Sequence, residues 1–337
     1  MPRTALVPLA ALAILLLLTV LAVLPAIDAP FTFDEDGGLR ANRTVQPGSP
    51  PGAALAYRFS PDQTRPLFFL SLWLDARLFG MSPRPFRLIG LGLHLNCGIL
   101  VYLLLRRLPS TAPAGAAGVG GSDAAGPALA GAAIFLLHPV QSESIIYIWA
   151  RSGVLSTLFA LVALLLALRA GDRRDAAAPA STIAGALAAM SLGLAAKEEA
   201  IVLPILFFLW WRFAEGRPVP EGLRRAAFLC IPALLFLAAR ALALGGVGRQ
   251  IYARGITENI LGQAVVSLRM LGLIFWPAGQ SVDHPVTQPA VPSGIAAVLS
   301  SALLAVAAAY AVIRLSGSAR RAGAGLLVAG SGLLLYW

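Results

Sequence analysis

The chain is 337 residues long, 58% hydrophobic and only 12% charged. That composition excludes an ordinary soluble domain and places the protein in the membrane class. A net charge of +10 in such a chain reflects basic loops at one membrane face rather than nucleic-acid binding.

The two cysteines, Cys97 and Cys230, both lie inside apolar runs, and the three histidines share no HxxxH or HxH spacing. Neither a disulfide framework nor a histidine-built metal site is therefore read here. No cofactor is predicted, and a divalent metal stays open.

Ala5 to Ile27 is one apolar run behind a single Arg3. Arg3 mimics the basic region of a signal peptide, but the run has the length of a bilayer crossing. It is read as an uncleaved first helix with its N-terminus inside. Residues 28–85 follow as a long first outer loop. The part 28–64 is rich in Pro, Gly and Arg. The part Arg65 to Gly80, RPLFFLSLWLDARLFG, is apolar but short and broken by Asp75 and Arg77, which suits a helix lying in the interface.

Phe86 to Leu105 is the second crossing, closed by Arg106 and Arg107. A flexible Ala/Gly/Ser/Pro loop covers 109–127. The third crossing, from Ala128, runs into His138-Pro139, where the helix breaks or restarts because proline disfavours helix at the residue before it. Val154 to Leu168 crosses back. Ile183 to Ala196 and Ile201 to Phe213 form a hairpin with Lys197, Glu198 and Glu199 at its tip, each arm short for a full span. Arg212 to Arg225 reads as a basic loop, and Ala226 to Leu244 as the next crossing.

Leu261 to Trp276 is apolar enough to span but holds Arg269. It is read as interfacial or re-entrant, because Ile295 to Ile313 then delivers Arg314, Arg320 and Arg321 to the inside. The final run, Ala322 to Trp337, stops within a span, so further helices and a soluble tail are expected after it. The predicted fold is an all-α polytopic membrane protein, C-terminally truncated. Counting bases alone ties the two faces; the inside bases are the ones close to helix ends.

With this topology one set of polar residues falls on the outer face: Asp34-Glu35-Asp36, Arg65, His138, Glu143, Arg151, Lys197-Glu198 and Asp283-His284. Arg269 reaches headgroups or a phosphate from the interfacial segment. Three consecutive acids at a membrane surface need a cationic or protic partner. The bases suit an anionic phosphate, and a carboxylate suits taking a proton from a hydroxyl. Each feature alone has a plainer reading. The acids make a solvated turn, His138-Pro139 a helix-ending kink, Lys197-Glu198-Glu199 a wet hairpin tip, and Arg65-Pro66 a helix start. Asp283-His284 reads as an ordinary loop pair, and His94 and Asn96 as interhelical hydrogen-bonding groups.

Together, the stretches FDEDGGLRAN, TRPLFFLSLWLDARLFG, FRLIGLGLHLNCGILVYLLL, LHPVQSESIIYIWARSGVLSTLFALVALLL, LAAKEEAIVLPIL and LIFWPAGQSVDHPV carry a resemblance. The chain resembles the GT-C superfamily of membrane glycosyltransferases. The likeness is greatest to the family with a transmembrane region followed by tetratricopeptide repeats, whose animal members are protein O-mannosyltransferases. The resemblance implies a GT-C-type helical bundle with Asp34 and Glu35 as the catalytic centre. It also implies a polyprenyl-phosphate sugar as donor, mannose foremost, and inverting transfer to a protein or glycan hydroxyl outside the cytoplasm. Arg65, Arg151 and Lys197 match motif positions and are assigned to the donor phosphate. The chain departs from the family in lacking the repeats and in reading Asp-Glu-Asp, so which acid is the base stays open, with Asp34 favoured.

Two other classes compete. A transporter or lipid flippase predicts polar residues near the midplane and internal repeats; here the charges gather at one face and no repeat is seen. A non-catalytic membrane scaffold is the third.

Overall fold

The computed structural model describes residues 3–56, 65–108, 125–172, 179–244, 255–281, 294–296, 298–300 and 302–303. Asp283, His284, most of the crossing expected over 295–313 and all of that over 322–337 lie outside the described residues.

The protein is an all-α, multi-pass membrane protein. Its helices are α1 (Arg3–Val23), α2 (Pro51–Ala56), α3 (Pro66–Phe79), α4 (Pro83–Leu105), α5 (Ala125–Leu137) and α6 (Gln141–Ile146). Then come α7 (Arg151–Gly171), α8 (Ala180–Ala196), α9 (Leu203–Leu209), α10 (Val219–Leu244) and α11 (Ile256–Phe275). Among the described residues, five stretches are long and apolar enough to cross a membrane: Leu6–Ala26, Pro83–Leu105, Ile148–Gly171, Val219–Ala243 and Thr257–Phe275. Ala125–Leu137 and Ala180–Ala196 are apolar but shorter.

Helix starts follow local chemistry. Pro66 and Pro83 occupy first-turn positions, where a missing N–H removes nothing. Gly80, at φ 74, ends α3 in a conformation a side chain resists. α5 stops at Leu137, ahead of His138-Pro139, and the chain resumes as the short α6. α10 begins at Val219, seven residues earlier than the crossing read from Ala226. Pro220 fits the first turn there, and Glu221 pairs with Arg225 one turn on, at 2.8 Å.

α7 lies at the centre of the bundle, against α8 on one side and α4 on the other. α4 and α5 approach closely through small residues. A Cβ on Gly98 would stand 2.4 Å from the Leu136 side chain, and one on Gly131 would stand 2.3 Å from Leu105. At one end of the bundle α3, only 14 residues long, caps α7. Phe68, Phe69 and Leu72 are buried with Phe86, Ile148 and Trp149, while Leu74, Leu78 and Phe79 are exposed. The opposite end is tied by Arg107 and Arg217, which both pair with Asp172 and Glu215 at 2.7–2.9 Å. Arg217 also stacks on Trp211.

Under α3 sits a buried ion pair. Asp75 meets Arg151, whose guanidinium also donates to the Phe86 carbonyl. Both side chains are buried. Burial pushes the Asp75 carboxyl up, and Arg151 offsets this only in part. Such a pair adds little over an apolar isostere but is damaging to break. Asp75→Ala should therefore destabilise the protein by about 3–5 kcal/mol in detergent unfolding. Asp75→Leu combined with Arg151→Met should recover most of that loss; no recovery would mean the two residues do not act as a pair.

Candidate active site

The site is built on Arg87, at the start of the second turn of α4. A guanidinium in an apolar helix must find acceptors, and Arg87 is 1% exposed. Its Nη1 donates to the carbonyls of Ile27 and Ala29, its Nη2 to Pro30 O at 2.8 Å, and its Nε to Ile146 O at 2.8 Å. These bonds pin the chain leaving α1 and the end of α6 against the same helix. Nη2 also pairs with Glu35 at 3.4 Å.

Glu35 is fully buried, and both of its oxygens are occupied. Oε2 accepts from Thr32 N at 2.9 Å and faces Arg87; Oε1 accepts from Ile148 N at 2.6 Å. Nearby, Gly38 leaves room for the Trp149 ring, which a Cβ would approach to 2.6 Å. The acidic triplet thus divides into three environments. Glu35 is locked inside. Asp36 is exposed and pairs with Arg40 at 3.1 Å. Asp34 is exposed and accepts a long hydrogen bond, 3.4 Å, from the Tyr147 hydroxyl.

Tyr147 joins this acid to a second cluster. Burial, Asp34 and Glu35 push its phenol up, and Glu143 adds to the effect. Glu143 is half-buried on α6, and burial raises its carboxyl to about 7 against an opposing pull from Lys197. Lys197 breaks the helix between α8 and the turn Glu198–Val202, is itself buried, and pairs with Glu199 at 2.8 Å. Its carbonyl accepts from Ser156 on α7. Glu198 pairs with Arg65 at 3.6 Å. Asp34, Glu143, Lys197, Glu198 and Arg65 therefore lie at the α3-capped end of the bundle.

Other predicted site residues have different places. Arg151 is enclosed by Asp75 and Phe86, so its guanidinium does not face an open surface. His138 uses both ring nitrogens: Nε2 donates to Ile274 O at 2.8 Å and Nδ1 accepts from Val140 N at 3.1 Å. That makes it a strut holding the end of α11. Gln280 helps by donating to Pro139 O at 2.8 Å, with its amide oriented to fit. Arg269 is exposed on α11.

Three residues of this region were not singled out from the sequence. Arg87 carried a signal, a charge inside an apolar run. Asp75 was read only as a breaker of its helix, because its partner lies 76 residues away. Tyr147 has no local signature and emerges only through its contact with Asp34.

No family model matches the chain, and no solved structure matches it. A curated relative is Protein O-mannosyl-transferase TMTC1 of Mus musculus, 29% identical over 183 residues. The match covers 51% of this chain but 18% of that protein, so the chain spans only a part of the relative's length.

Glu143 offers a check of the electrostatics. Its carboxyl band in infrared titration should have a midpoint about 7, not its ordinary 4.5. Lys197→Met should move it higher still. Because the folded state holds this proton longer than the unfolded chain, the group's contribution to stability falls as pH rises from 4.5 to about 7. A midpoint near the ordinary value would show Glu143 to be solvated.

Proposed function

We propose that the chain is a membrane glycosyltransferase. In this reading it moves a sugar, mannose foremost, from a polyprenyl-phosphate donor to a hydroxyl of a protein or glycan. The observation that carries the reading is Asp34: an exposed carboxylate held between a locked Glu35 and Tyr147, on a chain similar to an O-mannosyl-transferase.

Asp34 takes the proton of the acceptor hydroxyl as its oxygen attacks the anomeric carbon. The bond from that carbon to the phosphate oxygen breaks, and the polyprenyl phosphate leaves with the electron pair. One displacement inverts the anomeric centre. Tyr147 holds Asp34 by a hydrogen bond and leaves its second oxygen for the acceptor. Glu35 acts as a positioning group through its contacts with Arg87 and Ile148 N, in place of the catalytic part first assigned to it. Lys197 and Arg65 supply positive charge for the phosphate at this end of the bundle. Arg151, enclosed by Asp75, is left out of donor binding.

The reaction end is assigned to the extracytoplasmic side. The opposite end carries Arg107 and Arg217 on connections beside helix ends and Arg225 in the second turn of α10, as the positive-inside rule requires of a cytoplasmic face. In this reading the segment 261–276 lies along the outer face, which the approach of the end of α11 to His138 and of the end of α10 to Pro66 supports.

Two measurements test this reading. Asp34→Asn should lower transfer from a polyprenyl-phosphate mannose to a serine or threonine peptide by about 10²–10⁴-fold, with protein level and unfolding temperature unchanged. Retained turnover would remove Asp34 from the role. For topology, in a chain with Cys97 and Cys230 replaced, Gly37→Cys should react with an impermeant thiol reagent in intact cells. Arg224→Cys should react only after permeabilisation; the reverse pattern would invert the assignment.

A further inference from the structure

The acidic loop carries two aromatic residues in opposite settings. Phe31 meets Phe86 edge-on at 6.4 Å and lies under the Arg40 guanidinium at 5.9 Å. Phe33, two residues on, is 59% exposed, and among the described residues no ring or guanidinium packs on it. Its φ of 53 is the left-handed conformation that a bulky side chain avoids and glycine adopts freely. An aromatic ring is thus held out of the core at a position where glycine would relax the backbone.

Lipid does not account for the ring. Its neighbours Thr32, Asp34, Asp36 and Arg40 are all exposed, and hydrocarbon covering Phe33 would have to desolvate them too. What the ring adjoins is Asp34, the next residue. Tyr147 engages Asp34 Oδ2, so an acceptor hydroxyl reaches the other oxygen. Successive Cα atoms of a peptide are about 3.8 Å apart, so residues flanking an acceptor serine or threonine come within reach of the Phe33 ring. A phenyl ring gives no hydrogen bond, and Asp36 beside it is paired with Arg40. The loop therefore suits an apolar side chain better than the further hydroxyls of a glycan. We propose that Phe33 is a specificity-determining residue, which binds an apolar side chain flanking the hydroxyl that Asp34 deprotonates. The proposal rests on the glycosyltransferase reading and narrows its acceptor to a peptide segment.

The test gives two threonine peptides to the purified full chain in nanodiscs with polyprenyl-phosphate mannose. One has leucine on both sides of the threonine, the other serine. The leucine peptide should have a kcat/KM about tenfold higher, through KM, the worth of one aromatic–apolar contact. Phe33→Gly should bring that ratio to about one without lowering the unfolding temperature, since glycine fits the left-handed backbone. Phe33→Tyr should keep the ratio. A ratio that survives Phe33→Gly, whether or not both rates fall together, or a glycan acceptor used in preference to the leucine peptide would overturn the proposal. A benzophenone on the leucine peptide adds a readout without turnover. It should crosslink within residues 31–40 in the wild type and in Asp34→Asn, and about tenfold less in Phe33→Gly. Such crosslinking in a protein that transfers no sugar would sink the enzyme reading and keep the peptide site. Transfer without leucine preference would sink the role of Phe33 alone.

Discussion

A guanidinium near the start of an apolar helix has to be met on every side, and Arg87 is met by four carbonyls and one carboxylate. The carbonyls belong to two separate segments, the exit of α1 and the end of α6. Their shared use of one side chain fixes the position of both relative to α4. Glu35 completes the arrangement by neutralising Arg87 and taking the Ile148 N–H, which ties the acidic loop to the entrance of α7. The backbone of this whole end is therefore set by one buried ion pair. The loop could not shift without leaving a charge unpaired in a low-dielectric setting.

A second buried pair, Asp75 with Arg151, stands beside the first. Phe86 connects the two: it precedes Arg87, gives its carbonyl to Arg151, and lies under the Arg151 guanidinium at 5.6 Å. Both pairs join a helix start to a loop or capping helix, not one span to another. The bundle's interior is held by other means, small-residue contacts and apolar packing. The far end uses half-exposed arginines stacked on Trp211, a more solvated arrangement that screening weakens. Among the described residues, the fully buried ion pairs are thus concentrated at the end that carries Asp34.

Much of the fold was legible from hydropathy and length, because a bilayer demands long apolar helices and little else satisfies it. The break at His138-Pro139 and the weak short helix after Arg65 were also legible, from proline sterics and from Asp75 and Arg77 interrupting an apolar run. The division of labour within Asp34-Glu35-Asp36 was not. Three adjacent acids look alike in sequence, and only Arg87, 52 residues away, and Ile148 N decide that the middle one is buried. Arg151 misled for the same reason: it reads as a free base until Asp75 is seen beneath it. The early start of α10 was hidden by prolines taken as loop signals, although Pro220 falls in a first turn.

The backbone of the acidic loop carries one further mark. Phe33 has φ 53, a left-handed conformation that a bulky aromatic residue rarely adopts. A conformation of this kind is disfavoured by about 1–3 kcal/mol and persists only when its neighbours over-determine it. Here they do. Upstream, Phe31 stacks edge-on against Phe86 and the Pro30 carbonyl is held by Arg87. Downstream, the Glu35 side chain accepts from Thr32 N and closes a short loop around Phe33. Between these clamps the left-handed residue reverses the chain, so that Glu35 turns inward and Asp34 turns out toward Tyr147. The strain sits beside exposed Asp34, which is where a fold that only needed a solvated turn would have placed glycine.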